Sequence, residues 1–329
     1  MHTLQHELIS ANGIQLHAAI QGKGPAVVMC HGFPGLWYSW RHQMQAIAAA
    51  GWRAIALDMR GYGRSSRPTS VNDYSVDQQV GDLLAVLDAF ELEDAVFVGH
   101  DFGAPLVWSL SVRQPARVRG VAALSVPYGY ALGDSTIKPT DMYAGIAAQH
   151  FFHMHYFQQP GVADRELGAD PTRFLTHLFW ALSARGNLLD WTNYPSEGTG
   201  YLDVLAEPAI ALPWDWLSEA DMAVYVNEFT RPGNDTAFTG GLNSYRVADI
   251  NWRLDKPYVG QDVTVPAVFI AGSEDPVMQL MSNDALRIMQ EKVSDLRGIH
   301  VVQDAGHFVQ QEQAAATNAH LLEFLHSLR

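Results

Sequence analysis

The chain has 329 residues, 48% of them hydrophobic and 17% charged, a balance that supports a large buried core. Its 35 acidic and 21 basic residues give a net charge of −14, which disfavours nucleic acid and anionic membrane surfaces as partners. The single cysteine, Cys30, excludes an internal disulfide framework, and the N-terminal segment has no apolar signal-peptide stretch, so we expect a cytoplasmic protein.

The first third of the chain alternates short β-rich runs with amphipathic helices. Strands are predicted at residues 6–9 and 14–20 and in the apolar runs AVVMC, RAIAL, AVFVG and VAALS. The clearest helix spans residues 75–90, where Ser75 and Gln78 have the spacing of a capping box. This alternation predicts an α/β fold with a mostly parallel central sheet and helices on both faces.

The pattern changes between residues 132 and 245, where strand-like runs give way to aromatic residues and helical segments such as 218–229. The loop PSEGTG, residues 195–200, lies within this block. The α/β pattern resumes with VPAVFIAGSEDPV and GIHVVQDAGH and closes with an amphipathic helix at 314–328. The sequence therefore predicts a core domain of residues 1–131 and 246–329, with residues 132–245 inserted as a helical lid.

The stretch Gly99-His100-Asp101-Phe102-Gly103 has the pattern of a nucleophile elbow, a sharp turn from a buried strand into a helix. The alternative is a chance turn carrying a surface aspartate. A carboxylate at the nucleophile position suits displacement at a saturated carbon, because it is ionised at neutral pH and forms an ester that water can hydrolyse. The elbow therefore predicts alkylation of Asp101 rather than acylation.

Three other strand ends supply groups that this chemistry needs. Phe33, after a buried strand, can direct its N–H towards the elbow, where the Phe102 N–H would complete an oxyanion hole. Asp275 and His307 each follow a later strand, and such positions converge at one edge of a parallel sheet. Taken singly, Asp275 is an ordinary loop acid and His307 a surface histidine; together with Asp101 they predict a catalytic triad.

The motifs HGFPG, DMRGYGRSS, GHDFG, YFQQPGVA, GGLNSYR, GSEDPV and AGHF, in this order over nearly the whole chain, resemble those of the soluble epoxide hydrolases of the α/β-hydrolase superfamily. The resemblance implies an α/β-hydrolase fold and hydrolysis of an epoxide to a vicinal diol through an alkyl ester of Asp101. His307, oriented by Asp275, would activate the water. The implied partners are a small apolar epoxide and water, without a cofactor. The sequence does not determine the oligomeric state, and a homodimer is one possibility.

The resemblance also implies two lid donors, usually tyrosines, that hydrogen-bond the epoxide oxygen. Tyr245 in GGLNSYR is one, and the place seven residues before the proline of FQQPG holds His153, a histidine that some bacterial relatives pair with tyrosine. If His153 must be protonated, its ordinary pKa of about 6.5 predicts activity that weakens early at alkaline pH. Tyr156, one helical turn away, is the alternative donor.

An aspartate nucleophile also serves haloacid and haloalkane dehalogenases, and these are the alternative function. Fluoroacetate dehalogenases likewise have a histidine at the place of His153, but followed by tryptophan and accompanied by arginines after the nucleophile. This chain has Met154 after His153, and Phe102 and Pro105 after the nucleophile. Haloalkane dehalogenases use a tryptophan after the nucleophile and an asparagine after His-Gly, where this chain has Phe102 and Phe33. These differences favour epoxide hydrolysis.

Two further patterns have simpler interpretations. Of His150, His153 and His155, only the first two share a helix face, and no acidic ligand accompanies them, so no metal is expected. The glycine-rich stretch at residues 60–66 has serine in place of the third glycine of a dinucleotide loop, and we expect a structural turn there. A catalytically inactive binding module would lack a nucleophile or a water-activating residue, and neither is missing.

Overall fold

The computed structural model describes residues 3–129, 136–281 and 284–329, which contain an eight-stranded sheet of order β1-β2-β4-β3-β5-β6-β7-β8. Strands β1 and β2 pair antiparallel, as do β2 and β4, and the other neighbours are parallel. The mostly parallel sheet predicted from the sequence is therefore confirmed. The strands are β1 Gln5–Ala11, β2 Ile14–Gly22, β3 Ala26–Cys30, β4 Arg53–Asp58, β5 Ala95–His100, β6 Val118–Leu124, β7 Ala267–Gly272 and β8 Leu296–Val302.

Fifteen α-helices accompany the sheet in the described residues, with short 3-10 turns between some of them. They are α1 Arg41–Ala49, α2 Val76–Ala89, α3 Gly103–Arg113, α4 Pro139–Ala147, α5 His153–Tyr156, α6 Val162–Ala169, α7 Pro171–Leu182, α8 Tyr201–Val204, α9 Glu219–Thr230, α10 Thr239–Arg246, α11 Ala248–Asp255, α12 Pro276–Leu280, α13 Ala285–Lys292, α14 Val309–Glu312 and α15 Ala314–His326. Within the same residues, no helix is long and apolar enough to cross a membrane.

The central strands are buried on both faces, which explains their continuous apolar sequences. All residues of β3, β5 and β7 are buried. Because side chains alternate along a strand, Val27 and Met29 face the cluster that includes Leu321 of α15, whereas Val28 and Cys30 face the cluster that includes Leu83 of α2. Helices thus cover the sheet on both sides, as predicted.

Helix α2 begins at Val76, as predicted, but its expected capping box is not formed. Ser75 is the N-cap residue, and its side chain makes no capping hydrogen bond. Asn251 of α11 instead accepts a hydrogen bond from the Val76 N–H at 2.8 Å, while the Gln78 side chain accepts one from Asn12 at 3.2 Å. Partners from distant segments have replaced the local cap, so the capping-box prediction was wrong.

The described residues between β6 and β7 form helices and turns, apart from two isolated β-bridges, Trp214 with Leu217 and Val263 with Val293. Helix α9 occupies the segment expected at residues 218–229, and Ser218 caps it with a hydrogen bond from the N–H of Asp221. A helical segment is therefore inserted in the chain between strands β6 and β7. The predicted boundary at residues 131 and 132 lies outside the described residues, and α10 continues one residue past the other predicted boundary, to Arg246.

Candidate active site

The elbow at Asp101 has the strained geometry that its sequence predicts. Asp101 connects β5 to α3 with a φ of 52°, a left-handed conformation that non-glycine residues rarely adopt. A methyl group on Gly99 would overlap the carbonyl oxygen of Gly103, and one on Gly103 would overlap that of Cys30. The two glycines thus permit the tight turn, and the Asp101 side chain remains 17% exposed at its tip.

Backbone donors hold the Asp101 carboxylate. The Phe33 N–H donates to Oδ1 at 2.7 Å, and the backbone N–H of Phe102 helps to lower the pKa of the carboxyl group. A methyl group on Gly32 would collide with Oδ1, so glycine is required there for the close approach. The two N–H groups predicted to form an oxyanion hole therefore both lie near the Asp101 carboxylate.

His31 holds the loop that carries Phe33. Its Nδ1–H donates to the Gly32 carbonyl at 2.7 Å, and its Nε2 accepts from the Met59 N–H at 3.0 Å. These two bonds require the neutral ring with the proton on Nδ1. Burial lowers the pKa of His31 and favours the same neutral form.

Asp275 and His307 lie where the sequence predicts, beside the elbow. His307 Nδ1 is 3.1 Å and 3.3 Å from the two Asp275 carboxylate oxygens, and its Nε2 is 3.6 Å from Asp101 Oδ2. The His307 N–H donates to the Leu182 carbonyl at the end of α7, at 2.9 Å. The imidazole thus bridges two carboxylates, and its position depends on both the sheet edge and the inserted helices.

The charges in this arrangement depend on one another. Burial by itself would lower the pKa of His307, but Asp275 and Asp101 outweigh it and raise the pKa to about 10. Burial likewise opposes ionisation of Asp101, and the hydrogen bond and charge of His307 outweigh it, so the pKa of Asp101 falls below 3.8. At neutral pH an ionised Asp101 carboxylate therefore lies beside a protonated His307.

The rings of His153 and Tyr245 lie edge to face with their centroids 5.7 Å apart, and the charge of Asp101 acts on both. His153 is only 8% exposed and stacks on Trp191 at 4.6 Å. Burial lowers the pKa of His153 to about 3, against a smaller opposing effect of Asp101. The ring is therefore neutral near pH 7. The predicted early loss of activity at alkaline pH assumed a protonated His153, so it no longer applies.

Tyr245 lies against the elbow. Its ring packs edge-on against Phe102 at 4.7 Å and against Phe157 at 4.9 Å. Burial, and then the charge of Asp101, raises the pKa of Tyr245 well above 10, so the hydroxyl keeps its proton at neutral pH. It can donate that proton to a stronger base such as an alkoxide.

Tyr156 does not join this pair. Its hydroxyl donates to Glu166 Oε2 at 2.7 Å, and the same carboxylate accepts the backbone N–H groups of Tyr201 and Leu202 at 3.1 and 2.9 Å. The hydroxyl is thus engaged in a network within the inserted helices. The alternative donor considered from helix periodicity is therefore disfavoured in this structure.

Aromatic rings surround the reactive groups. Around His153 and Tyr245 they belong to Phe33, Phe102, Phe152, Phe157, Trp191 and Tyr201. Such walls suit an apolar substrate. Among the described residues, no group of three His, Cys, Asp or Glu side chains could hold a metal ion, and the Nδ1–H of His150 donates to the Phe151 carbonyl.

Three residues that the sequence did not single out hold the loop that carries His307. His100 Nε2 and Ser125 Oγ donate to the His307 carbonyl at 2.7 and 3.1 Å. Glu312 accepts the N–H groups of Gly306 and Phe308, both at 3.1 Å. His100 was visible as part of the elbow motif and Glu312 as an acid one turn after AGHF, but no local pattern indicated their partners.

The chain is similar over nearly its whole length to known proteins of one family. The profile of the alpha/beta hydrolase fold family matches residues 25–314. Epoxide hydrolase A of Mycobacterium tuberculosis is 40% identical over 98% of this chain and 97% of its own, and an epoxide hydrolase of Caballeronia sordidicola is 38% identical over 97% and 93%.

Solved structures give the same result. Epoxide hydrolase A from Mycobacterium thermoresistibile superposes with a TM-score of 0.89 at 40% identity, over 98% of both chains. An epoxide hydrolase from an endophytic Streptomyces superposes with a TM-score of 0.92 at 37% identity, over 99% of this chain and 96% of that one. The likeness thus extends over the sheet and the inserted helices alike.

Proposed function

The chain belongs to the epoxide hydrolases of the alpha/beta hydrolase fold family, and from this we propose that it converts an epoxide and water to a vicinal diol. The observation that carries the proposal is the Asp101 carboxylate, with Oδ1 in contact with the Phe33 N–H and Oδ2 facing His307. The dehalogenase alternative is not favoured, because the relatives named above are epoxide hydrolases.

In the first step, Asp101 Oδ2 attacks one carbon of the epoxide, since the Phe33 N–H holds Oδ1. The carbon–oxygen bond of the ring breaks, and the ring oxygen takes the proton of the Tyr245 hydroxyl while His153 donates a hydrogen bond from its neutral ring. The product is a hydroxyalkyl ester of Asp101. The Tyr245 phenolate, whose pKa is raised by burial, then regains a proton from the imidazolium of His307.

Ester formation prepares His307 for the second step. It removes the charge of Asp101, one of the two carboxylates that hold the pKa of His307 at about 10, so the histidine can become a neutral base. His307 Nε2 takes a proton from water, whose oxygen adds to the Asp101 carboxyl carbon while the Phe33 and Phe102 N–H groups stabilise the oxyanion. The diol leaves with the proton of His307, and the new Asp101 carboxyl group returns a proton to the histidine.

In this scheme residues 132–245 act as the lid over a core domain of residues 1–131 and 246–329, because His153 and Tyr245 come from the inserted segment. The reaction needs a small apolar epoxide and water but no cofactor. We place the enzyme in the cytoplasm. A homodimer is the assembly to test first, by size-exclusion chromatography with light scattering.

The test combines product detection with trapping of the intermediate. The wild-type chain should release diol from styrene oxide, and His307→Gln should accumulate an ester that raises the intact mass by one epoxide. Asp101→Asn is the matched control and should gain no mass. Diol formation by the wild type without any adduct on His307→Gln would overturn the covalent scheme. Halide release from chloroacetate, with no diol from a panel of epoxides, would overturn the function.

A further inference from the structure

Gln158, in the FQQPG motif, hydrogen-bonds both of the elements that carry the ring-opening donors. Its Nε2 donates to the Met154 carbonyl at 2.8 Å and to the Tyr245 carbonyl at 3.1 Å. Met154 follows His153 in α5, and Tyr245 is in α10. We infer that Gln158 is a positioning residue that sets the separation of His153 and Tyr245, an inference that rests on the proposed function.

A second hydrogen bond connects the same two elements in the opposite direction. Arg246, next to Tyr245, donates from Nε to the Phe157 carbonyl at 2.9 Å. Its guanidinium is held in turn by Asp164, with Nη2 and Oδ2 2.5 Å apart. Adjacent residues of one segment, Phe157 and Gln158, are thus joined to adjacent residues of the other, Tyr245 and Arg246.

The spacing of the donors depends on this connection because the helix that carries His153 is too short to fix it. Helix α5 has only four residues, His153–Tyr156, too few to hold a stable orientation alone. His153 Nδ1 is buried without a hydrogen-bond partner, so ring packing on Trp191 and the path of α5 determine where the imidazole lies. Any movement of α5 relative to α10 therefore changes the spacing between the two donors.

The consequence is confined to one chemical step. Ring opening needs both donors at the epoxide oxygen, whereas ester hydrolysis uses His307, Phe33 and Phe102, which lie on loops of the sheet edge. The hydrogen bonds of the Gln158 side chain go to α5 and α10. Loss of the Gln158 amide should therefore slow alkylation of Asp101 and leave hydrolysis of the ester unchanged.

The experiment compares Gln158→Met, which keeps the side-chain length without donors, with Gln159→Met, a change at the exposed neighbouring residue. Single-turnover reactions with styrene oxide, quenched at successive times, separate the two steps, because the ester adduct in the intact mass reports alkylation and diol release reports hydrolysis. We expect alkylation to slow by roughly 10- to 100-fold in Gln158→Met. Hydrolysis of the ester should not change, and Gln159→Met should match the wild type in both steps.

A conservative variant keeps the inference testable if Gln158→Met folds poorly. Glutamate has the shape of glutamine, but its ionised form donates no hydrogen bond and its protonated form donates one. Alkylation by Gln158→Glu should therefore recover as the pH falls, relative to wild type at the same pH. Two results would overturn the inference: equal slowing of alkylation and hydrolysis in Gln158→Met, or a pH profile of alkylation by Gln158→Glu that runs parallel to that of the wild type. If the wild type still formed diol, the proposed function would stand in either case. Absence of diol from the wild type would overturn both.

Discussion

His153 acts as a neutral hydrogen-bond donor in the proposed reaction, and its substitution tests this. The shift of its pKa from 6.5 to about 3 corresponds to about 5 kcal/mol against protonation. The ring is thus charged only near or below pH 3, and its state is constant from pH 5 to 9. The ring-opening rate should therefore show no loss in that range that arises from His153.

The size of the effect follows from the kind of hydrogen bond that is lost. The ring oxygen becomes negatively charged as the epoxide opens, and a hydrogen bond to a charged group contributes about 1.5–3 kcal/mol. His153→Phe should therefore slow alkylation roughly 10- to 150-fold. His153→Gln keeps a neutral N–H donor and should retain more of the rate than the phenylalanine variant.

The assay is single-turnover alkylation by the wild type and both variants at pH values from 5 to 9. We expect parallel pH profiles that differ in height. A decline in the wild-type rate centred near pH 6.5, absent from both variants, would show that His153 acts as a protonated acid and would refute the argument. Equal rates for His153→Phe and the wild type would show that another group donates.

Three further outcomes are expected. Buried neutral His153 should destabilise the protein as the pH falls below 6.5, because the unfolded chain then binds a proton at His153 and the folded chain does so only near pH 3. Thermal or urea unfolding should therefore show that, between pH 7 and pH 5, His153→Phe loses about 2 kcal/mol less stability than the wild type. Gly32→Ala should abolish diol formation and lower the free energy of unfolding by about 1–3 kcal/mol, because the new methyl group collides with Asp101. Gly145→Ala is the control and should keep activity, because no atoms lie near its added methyl group. An active Gly32→Ala variant would contradict this geometry. A single turnover in ¹⁸O-labelled water should place the label in Asp101, as mass spectrometry of the peptide can show, and label found only in the diol would exclude attack on the ester carbonyl.

The sheet and the triad could be predicted because their signals are local. Continuous apolar runs such as AVVMC predict strands buried on both faces, and the glycines around Asp101 predict a sharp turn. The carboxyl ends of parallel strands meet at one edge, so Asp101, Asp275 and His307 could be placed together because each follows a predicted strand.

Features that depend on contacts between distant segments could not be predicted in this way. The cap of α2 comes from Asn251, and the hydroxyl of Tyr156 is bound by Glu166. A helical period shows which face a residue shares with its neighbours but gives no information about the side chains that another segment brings to that face.

The same limit applies to charge and position in the active site. The sequence alone, through its resemblance to the soluble epoxide hydrolases, predicted that His153 and Tyr245 are the two lid donors. Only the tertiary structure decided that His153 is neutral, since its pKa depends on burial against Trp191, and that Gln158 joins the two donor helices. Solvation and hydrogen-bond partners are properties of the assembled fold, so they can be determined only from the tertiary structure.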